Sequence, residues 1–434
     1  MTKLSSRRTR SLAVNALARV EGEGGMVVHI EDGKVTDVRL DIYEPPRFFE
    51  AFLRGRTYTE PPDLTARICG ICPVAYQMSA CQAIEDACGV EVPEQIRVLR
   101  RLLYCGEWIE SHALHIYLLH APDFLGYDGM LDMARDHATE VERGLQLKKV
   151  GNDLIELVGG RAIHPINVKV GGFFAVPTPA KLAGLAASLE WAREAALETV
   201  RWVAGFDFPD FEPDYEFVAL QHADEYPILS GRVVSSGGLD VDVSAFEQHV
   251  VEHQVEHSNA LHARLDGRTY LAGPLARFAL NADRLSPSAR AAATDAGLSE
   301  SCRNPFRSII VRAVEVLHAV DEALRIIADY EQPAEPSIRV EPRPGTGYGV
   351  TEAPRGLLYH RYELSADGLI NRAQIIPPTS QNQGQIEADL RAFVESHLDL
   401  ELAELTHACE QVIRSYDPCI SCATHFLTLR VERS

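Results

Sequence analysis

The sequence predicts an α+β fold that is predominantly α: a long central helical bundle with small β-sheets at its periphery. Three observations predict it. Apolar residues recur at helical spacing over long stretches between about 93 and 330, strand-like patterns flank them on both sides, and two Cys-x-x-Cys pairs stand at opposite ends of the chain. Pairs so far apart favour one interdigitated body over residues 1–434 rather than separable domains. Within it, 1–65 reads as a β-containing N-terminal lobe, 66–330 as the helical core and 331–425 as a mixed C-terminal segment.

The elements follow in order. Residues 26–42, MVVHIEDGKVTDVRLDI, read as two strands around a turn at Asp32-Gly33. Residues 93–120 carry Ile96, Leu99, Leu103, Ile109, Ala113 and Ile116 at helical spacing behind Pro93, and Pro122 should stop that helix. A further helix over about 139–158 should end at Gly159-Gly160. Residues 166–176 look extended, and 179–204, 246–263 and 309–330 read as helices. A proline-rich stretch covers 333–344. Glycine and proline punctuate 345–383, which should hold short strands, and helices resume at about 385–397 and 400–415.

With 42 Lys+Arg against 62 Asp+Glu, the formal charge of −20 disfavours nucleic acid and anionic membrane as partners. No run of about 18 apolar residues suggests a membrane span. The N-terminus has no apolar stretch before charge returns at Arg19 and Glu21, so a cytoplasmic protein without secretory signal is expected. Nine cysteines in such a chain point to thiols or metal ligands rather than a disulfide framework.

The pairs are Cys69/Cys72 in RICGICPVAYQMSA and Cys419/Cys422 in DPCISCATH. A Cys-x-x-Cys turn brings two sulfurs to one side, which suits one metal ion. Either pair alone is equally a structural zinc half-site or a redox dithiol. Zinc ribbons, however, place their pairs about 15–20 residues apart, and neither pair sits in a βαβ context. Together the four thiols make a soft site suited to nickel, iron or zinc. GTGYGV (345–350) lacks the spacing of a dinucleotide-binding loop, and no helix starts cleanly before Pro354. The remaining cysteines, Cys81, Cys88, Cys105, Cys302 and Cys409, form no iron–sulfur ligand run and read as packed thiols.

RICGIC and DPCISCATH together resemble the two nickel-binding signatures of the large subunit of [NiFe] hydrogenases. Four collinear stretches are similar to the same family: RVEGEG (19–24), GGRAIHPINVKVGG (159–172), EAPRG (352–356) and IPPTSQN (376–382). The short chain and the Pro-Val after Cys72 look most like the cytosolic bidirectional branch, which includes sulfhydrogenase-like, NAD(P)-linked enzymes. The resemblance implies the hydrogenase large-subunit architecture and reversible heterolytic cleavage of dihydrogen. A zinc-stabilised scaffold is the first rival reading. The second is a respiratory quinone subunit of the same fold, in which the nickel cysteines are lost.

By this resemblance, Cys69 and Cys419 are terminal nickel ligands, and Cys72 and Cys422 bridge to an iron that carries cyanide and carbonyl. Glu21 relays the proton from Cys419. Arg355 hangs over the open metal position beside Pro354, with Asp123 and Asp417 holding it, and Thr379 bonds a cyanide. Glu50 and His425 are ligands of a magnesium or iron ion near the C-terminus. Residues 426–434, FLTLRVERS, become a tail that a maturation endopeptidase removes. Two positions depart from the family pattern, with Tyr76 and Glu23 where histidines are common. Electrons must leave through an iron–sulfur small subunit, joined by flavin/NAD(P) and ferredoxin-like subunits.

Overall fold

The computed structural model describes residues 9–299 and 301–424. The N-terminal lobe is an antiparallel three-stranded meander of Thr9–Val14, Gly24–Glu31 and Lys34–Ile42. Asp32 and Gly33 make its tight turn with φ of 50° and 75°, the left-handed pair that a two-residue hairpin demands. The strand Thr9–Val14 was not foreseen.

Four long helices form the centre. Glu94–Leu114 packs on Ala138–Gly159, and Ser308–Ala328 packs on both Glu94–Leu114 and Ala186–Ala204. The first crossing is close because it is built on glycine. A Cβ on Gly151 would lie 2.7 Å from the carbonyl oxygen of Gly106, and one on Gly144 would lie 2.3 Å from the Tyr117 ring. One apolar core runs through residues from Leu12 to Ala423. Among the described residues, no helix is long and apolar enough to cross a membrane.

The structure corrects several expectations. Pro122 does not end the helix: after Leu114 the chain takes a π-helical turn (His115–His120) and a short helix, Ala121–Leu125, whose first turn houses the proline. That position tolerates proline because its missing N–H would be unpaired anyway. The stretch 179–204 is two helices, Pro179–Ala183 and Ala186–Ala204, parted at Gly184. Residues 246–263 are not a helix beyond the single turn Phe246–His249. They form the hairpin Val250–Gln254 and Leu261–Leu265, paired Val250 to Leu265 and His253 to His262.

The segment from 345 holds longer strands than expected: Gly345–Ala353, Gly356–Leu364 and Ile370–Ile376, one antiparallel sheet. GTGYGV is thus a strand, and its glycines let the sheet press on the helix Pro73–Cys88, another element not foreseen. A Cβ on Gly347 would lie 2.0 Å from the Ala83 carbonyl oxygen, and one on Gly349 would lie 2.3 Å from that of Ser79. Gly347→Ala should therefore cost about 1–3 kcal/mol or more through forced separation, seen as a lower denaturation midpoint. An unchanged midpoint would mean that this contact yields freely.

Candidate metal centre

Each cysteine pair is shaped by its local backbone. Cys69 follows the turn Ala66–Ile68, and Cys72 stands immediately before the helix Pro73–Cys88. Proline at the first helical position is pre-set for that start. The N–H groups of Ile71 and Cys72 donate to Cys69 Sγ at 3.3 and 3.4 Å. Buried Glu107, on the neighbouring helix, accepts from the N–H groups of Val74 and Ala75 at 2.6 and 3.1 Å, so a carboxylate closes the helix end behind Cys72. Nothing in the sequence marked Glu107, since its neighbours Gly106 and Trp108 give it no motif.

The second pair spans the start of a one-turn helix, Ile420–Ala423, with Cys419 just before it and Cys422 within it, after Asp417, whose φ of 52° turns the chain inward. The strand-like bridge between Glu21 and Cys419 docks it on the N-terminal lobe. Ile420 N–H donates to the Glu21 carbonyl at 3.0 Å, and Ser421 N–H donates to Glu21 Oε2 at 3.0 Å. The Cys419 N–H donates to Thr379 Oγ1 at 3.1 Å. Thr379 sits in the first turn of the helix Pro378–Ser396, which begins well before the expected 385.

The four sulfurs converge although the pairs are 350 positions apart. Cys69 Sγ lies 3.4 Å from Cys419 Sγ, Cys72 Sγ lies 3.7 Å from Cys422 Sγ, and Cys419 Sγ lies 2.8 Å from Cys422 Sγ. All four are buried free thiols. Burial pushes the Cys419 thiol well up, and Cys422, Cys69 and Cys72 push it the same way. Cys69 is held well down, chiefly by the contact from Cys419. Four buried thiols at this spacing can all be held as thiolates only around a cation. An all-sulfur donor set selects a soft or borderline ion such as nickel, iron or zinc.

Around this set stand the other predicted residues. The Cys419 thiol donates to Glu21 Oε2 at 3.1 Å. Burial, and then the charge of Cys69, raise the Glu21 carboxyl above its usual range, against the bonds from Ser421 and Cys419. Arg355 is 2 % exposed and donates through Nε to the Asp417 carbonyl at 2.8 Å and through Nη2 to Asp417 Oδ1 at 3.0 Å. Burial works to lower its pKa, but Asp417, then Cys419, Cys72 and Cys69, hold it well above the ordinary value. Its Nη1 is buried without a partner, as is Asp417 Oδ2. An orphaned cationic donor beside four thiols would suit an anionic ligand of a metal held there.

The turn that carries Arg355 is held from beneath. Buried Arg277 donates to the carbonyls of Ala353 and Pro354 at 2.8 and 2.9 Å, and to Glu315 and Glu352. Its guanidinium also lies over the Trp108 ring, 4.5 Å from the centroid. Arg277 was not singled out from the sequence, where no motif surrounds it.

Asp123 is placed differently from the expectation. It does not hold Arg355. Arg414 grips it at 2.8 and 2.9 Å, and Arg19 binds the same carboxylate. Arg414 lies on the helix Leu402–Ser415, which leads into the second cysteine pair, so the clamp ties that helix to the start of the chain. Asp123→Asn should destabilise the protein by about 3–5 kcal/mol, because it leaves the buried guanidinium of Arg414 uncompensated and strips the half-buried Arg19 of its carboxylate. A thermal midpoint equal to wild type would contradict this.

Glu50 lies on the short helix Phe49–Leu53, where Ile375 N–H donates to its Oε1 at 2.7 Å. Arg47 N–H donates to the Thr424 carbonyl at 2.8 Å, so the described end of the chain reaches the segment just before this helix. His425 and the tail 426–434 lie outside the described residues. Tyr76 stands in the helix after Cys72, its ring 5.7 Å from His360. Its phenol is buried, and after burial the charges of Cys422 and Cys72 raise its pKa further. The GGRAIHPIN stretch packs on the first pair's approach: His164 Nδ1 bonds the Ala66 carbonyl at 2.8 Å, and Gln77 Nε2 donates to the Pro165 carbonyl at 2.7 Å.

Comparison with known proteins places this geometry in context. The family model described as nickel-dependent hydrogenase matches residues 47–153 and 251–425. The chain is 34% identical over 422 residues to sulfhydrogenase 1 subunit alpha of Pyrococcus furiosus, covering 96% of this chain and 98% of that one. It is 28% identical over 474 residues to the NAD-reducing hydrogenase HoxS subunit beta of Cupriavidus necator, covering 96% and 95%. A solved NAD+-reducing [NiFe]-hydrogenase in its H2-reduced state is similar with a TM-score of 0.86 and 29% identity, covering 96% of this chain and 99% of that one.

Proposed function

The chain belongs to the nickel-dependent hydrogenases and is the catalytic large subunit of a [NiFe] hydrogenase, and from that premise we propose how its residues divide the work. Cys69 and Cys419 would hold nickel, and Cys72 and Cys422 would hold nickel and an iron with its cyanide and carbonyl. When bound, this pair supplies a redox-active Lewis-acidic centre at which dihydrogen is polarised and its two electrons leave. The single observation that carries the reading is the convergence of four buried sulfurs from both ends of the chain.

Each remaining residue has a task that its geometry supports. Glu21 takes the proton at the Cys419 sulfur, for which its short contact and raised pKa suit it. Arg355, held by Asp417 and next to Pro354, keeps a fixed positive charge with one free buried N–H beside the four sulfurs and stabilises negative charge there. Thr379 fixes the Cys419 loop and offers its hydroxyl to a cyanide. Asp123 acts one step removed, through Arg414 and Arg19. Glu50 and His425 bind a magnesium or iron ion that ties the chain end to the N-terminal lobe. The tail 426–434 is removed by a dedicated endopeptidase after the metals are in place, which an intact mass ending at His425 would establish.

The relatives named NAD-reducing hydrogenase and sulfhydrogenase support electron transfer to a partner. We assign the partners as an iron–sulfur small subunit with flavin/NAD(P) and ferredoxin-like subunits, and the enzyme to the cytoplasm. The test is metal and infrared analysis of the complex purified without oxygen, alongside hydrogen-dependent NAD(P) reduction. Nickel, with iron in excess of it because the iron–sulfur partners add their own, and cyanide and carbonyl bands are expected. Zinc alone without those bands would overturn the reading.

A further inference from the structure

Among the described residues, two groups of side chains bring ligand atoms to one point: the four cysteines, and His257, His262 and Glu387. We propose that the second group binds a divalent transition-metal ion of the zinc class, and that this ion pins the Val250–Leu265 hairpin to the helix Pro378–Ser396. The site has no part in hydrogen chemistry and stands apart from the ion assigned to Glu50 and His425.

The geometry assembles it from three parts of the fold. His262 lies in the strand Leu261–Leu265, His257 in the loop before it, and Glu387 in the helix Pro378–Ser396. Their ligand atoms lie within 4.8 Å of one another. His257 Nε2 is 2.7 Å from Glu387 Oε1, and His262 Nδ1 is 3.9 Å from Glu387 Oε2. Ligands about 2.0–2.1 Å from one tetrahedral ion lie about 3.4 Å apart, so closing on the ion draws the outermost pair together by about 1.4 Å.

Two observations point to a ligand beyond the hydrogen bond already present. His262 is 4 % exposed, and its Nδ1 faces Glu387 Oε2 across 3.9 Å, a gap too wide for a hydrogen bond and one that an ion between the two would close. Glu387 is held in place independently, since Leu40 N–H donates to its Oε1 at 2.9 Å. This second-sphere bond orients the carboxylate, as metal sites require.

Two imidazoles and a carboxylate match the borderline ions, and zinc accepts that set with one position open. His253 lies opposite His262 across the strands, with ring centroids 5.9 Å apart, and flanks that position. The same helix carries Thr379 in its first turn, so an ion here would brace, from its far side, the helix that supports the Cys419 loop.

The experiment uses the tag-free holoenzyme, freed of loose metal by a mild chelator and checked for unchanged nickel and iron. Zinc is titrated by calorimetry, and the bound zinc is read by X-ray absorption. One zinc per large subunit with nitrogen and oxygen neighbours only is expected. Glu387→Gln and His257→Ala should each weaken binding by more than about tenfold, with hydrogen uptake, nickel and iron unchanged. His257 is a half-buried loop residue, so its variant keeps the test open should Glu387→Gln fold poorly. Wild-type protein that takes up no zinc, equal affinity in both variants, or a sulfur neighbour would overturn the proposal. None of these outcomes bears on the hydrogenase reading.

Discussion

Cys419→Ser is expected to abolish hydrogen uptake. Cys419 is the one cysteine whose sulfur lies within reach of two other cysteines and of a carboxylate: 3.4 Å from Cys69, 2.8 Å from Cys422 and 3.1 Å from Glu21 Oε2. The substitution replaces a polarisable thiolate by a hard hydroxyl of high pKa, a poor ligand for nickel. Loss of groups that merely orient metal ligands costs about 10–100-fold, so loss of a ligand should exceed that and fall below detection. The backbone bonds from Ile420 to Glu21 and from Cys419 to Thr379 need no sulfur, so the loop should keep its place. The measurement pairs hydrogen-dependent dye reduction with nickel content. Uptake retained at normal nickel content would remove Cys419 from the centre.

Glu21→Gln should slow exchange of protons between dihydrogen and water by about 10²–10⁴-fold, the usual weight of a positioned acid–base group. Glutamine keeps the shape and can still accept from Ser421 N–H, so the second pair stays docked. It cannot take a proton from the Cys419 sulfur. The raised pKa of Glu21, caused first by burial, suits a group that must both gain and release one. Mass-spectrometric deuterium exchange reads the rate, and nickel and iron should be unchanged. An exchange rate equal to wild type would exclude Glu21 from proton transfer.

Local chemistry made parts of the fold legible. Asp32-Gly33 between alternating residues announced the N-terminal hairpin, and Gly160, with φ of 81°, marks the end of the helix Ala138–Gly159 as its sequence suggested. Other parts were decided at long range. The helix Pro73–Cys88 is buried on nearly every side, so no polar face sets its phase. The 246–263 stretch has spacing that suits a helix, but the β-branched pair Val250-Val251 and packing on the helix Pro378–Ser396 make it a hairpin. Pro377-Pro378 reads as a loop, yet proline is at home in a first helical turn.

The same division runs through the candidate site. The cysteine spacing announced a metal, whereas the roles of Glu21, Arg355 and Thr379 came from resemblance, because no local pattern says which distant loop a side chain will meet. Asp123 shows the limit most clearly. Its partner Arg414 is 291 residues away, and only the packing of the last long helix brings the two together. Arg277 and Glu107 went unmarked for a related reason: each supports the site by bonding backbone of another element, and a sequence does not display that.

The most direct test of the central claim is X-ray absorption at the nickel edge of the purified complex. The account predicts nickel whose protein neighbours are sulfurs alone, supplied by Cys69, Cys72, Cys419 and Cys422, with iron at the adjoining position. Nickel surrounded by nitrogen and oxygen, or zinc in its place within the four thiols, would contradict it.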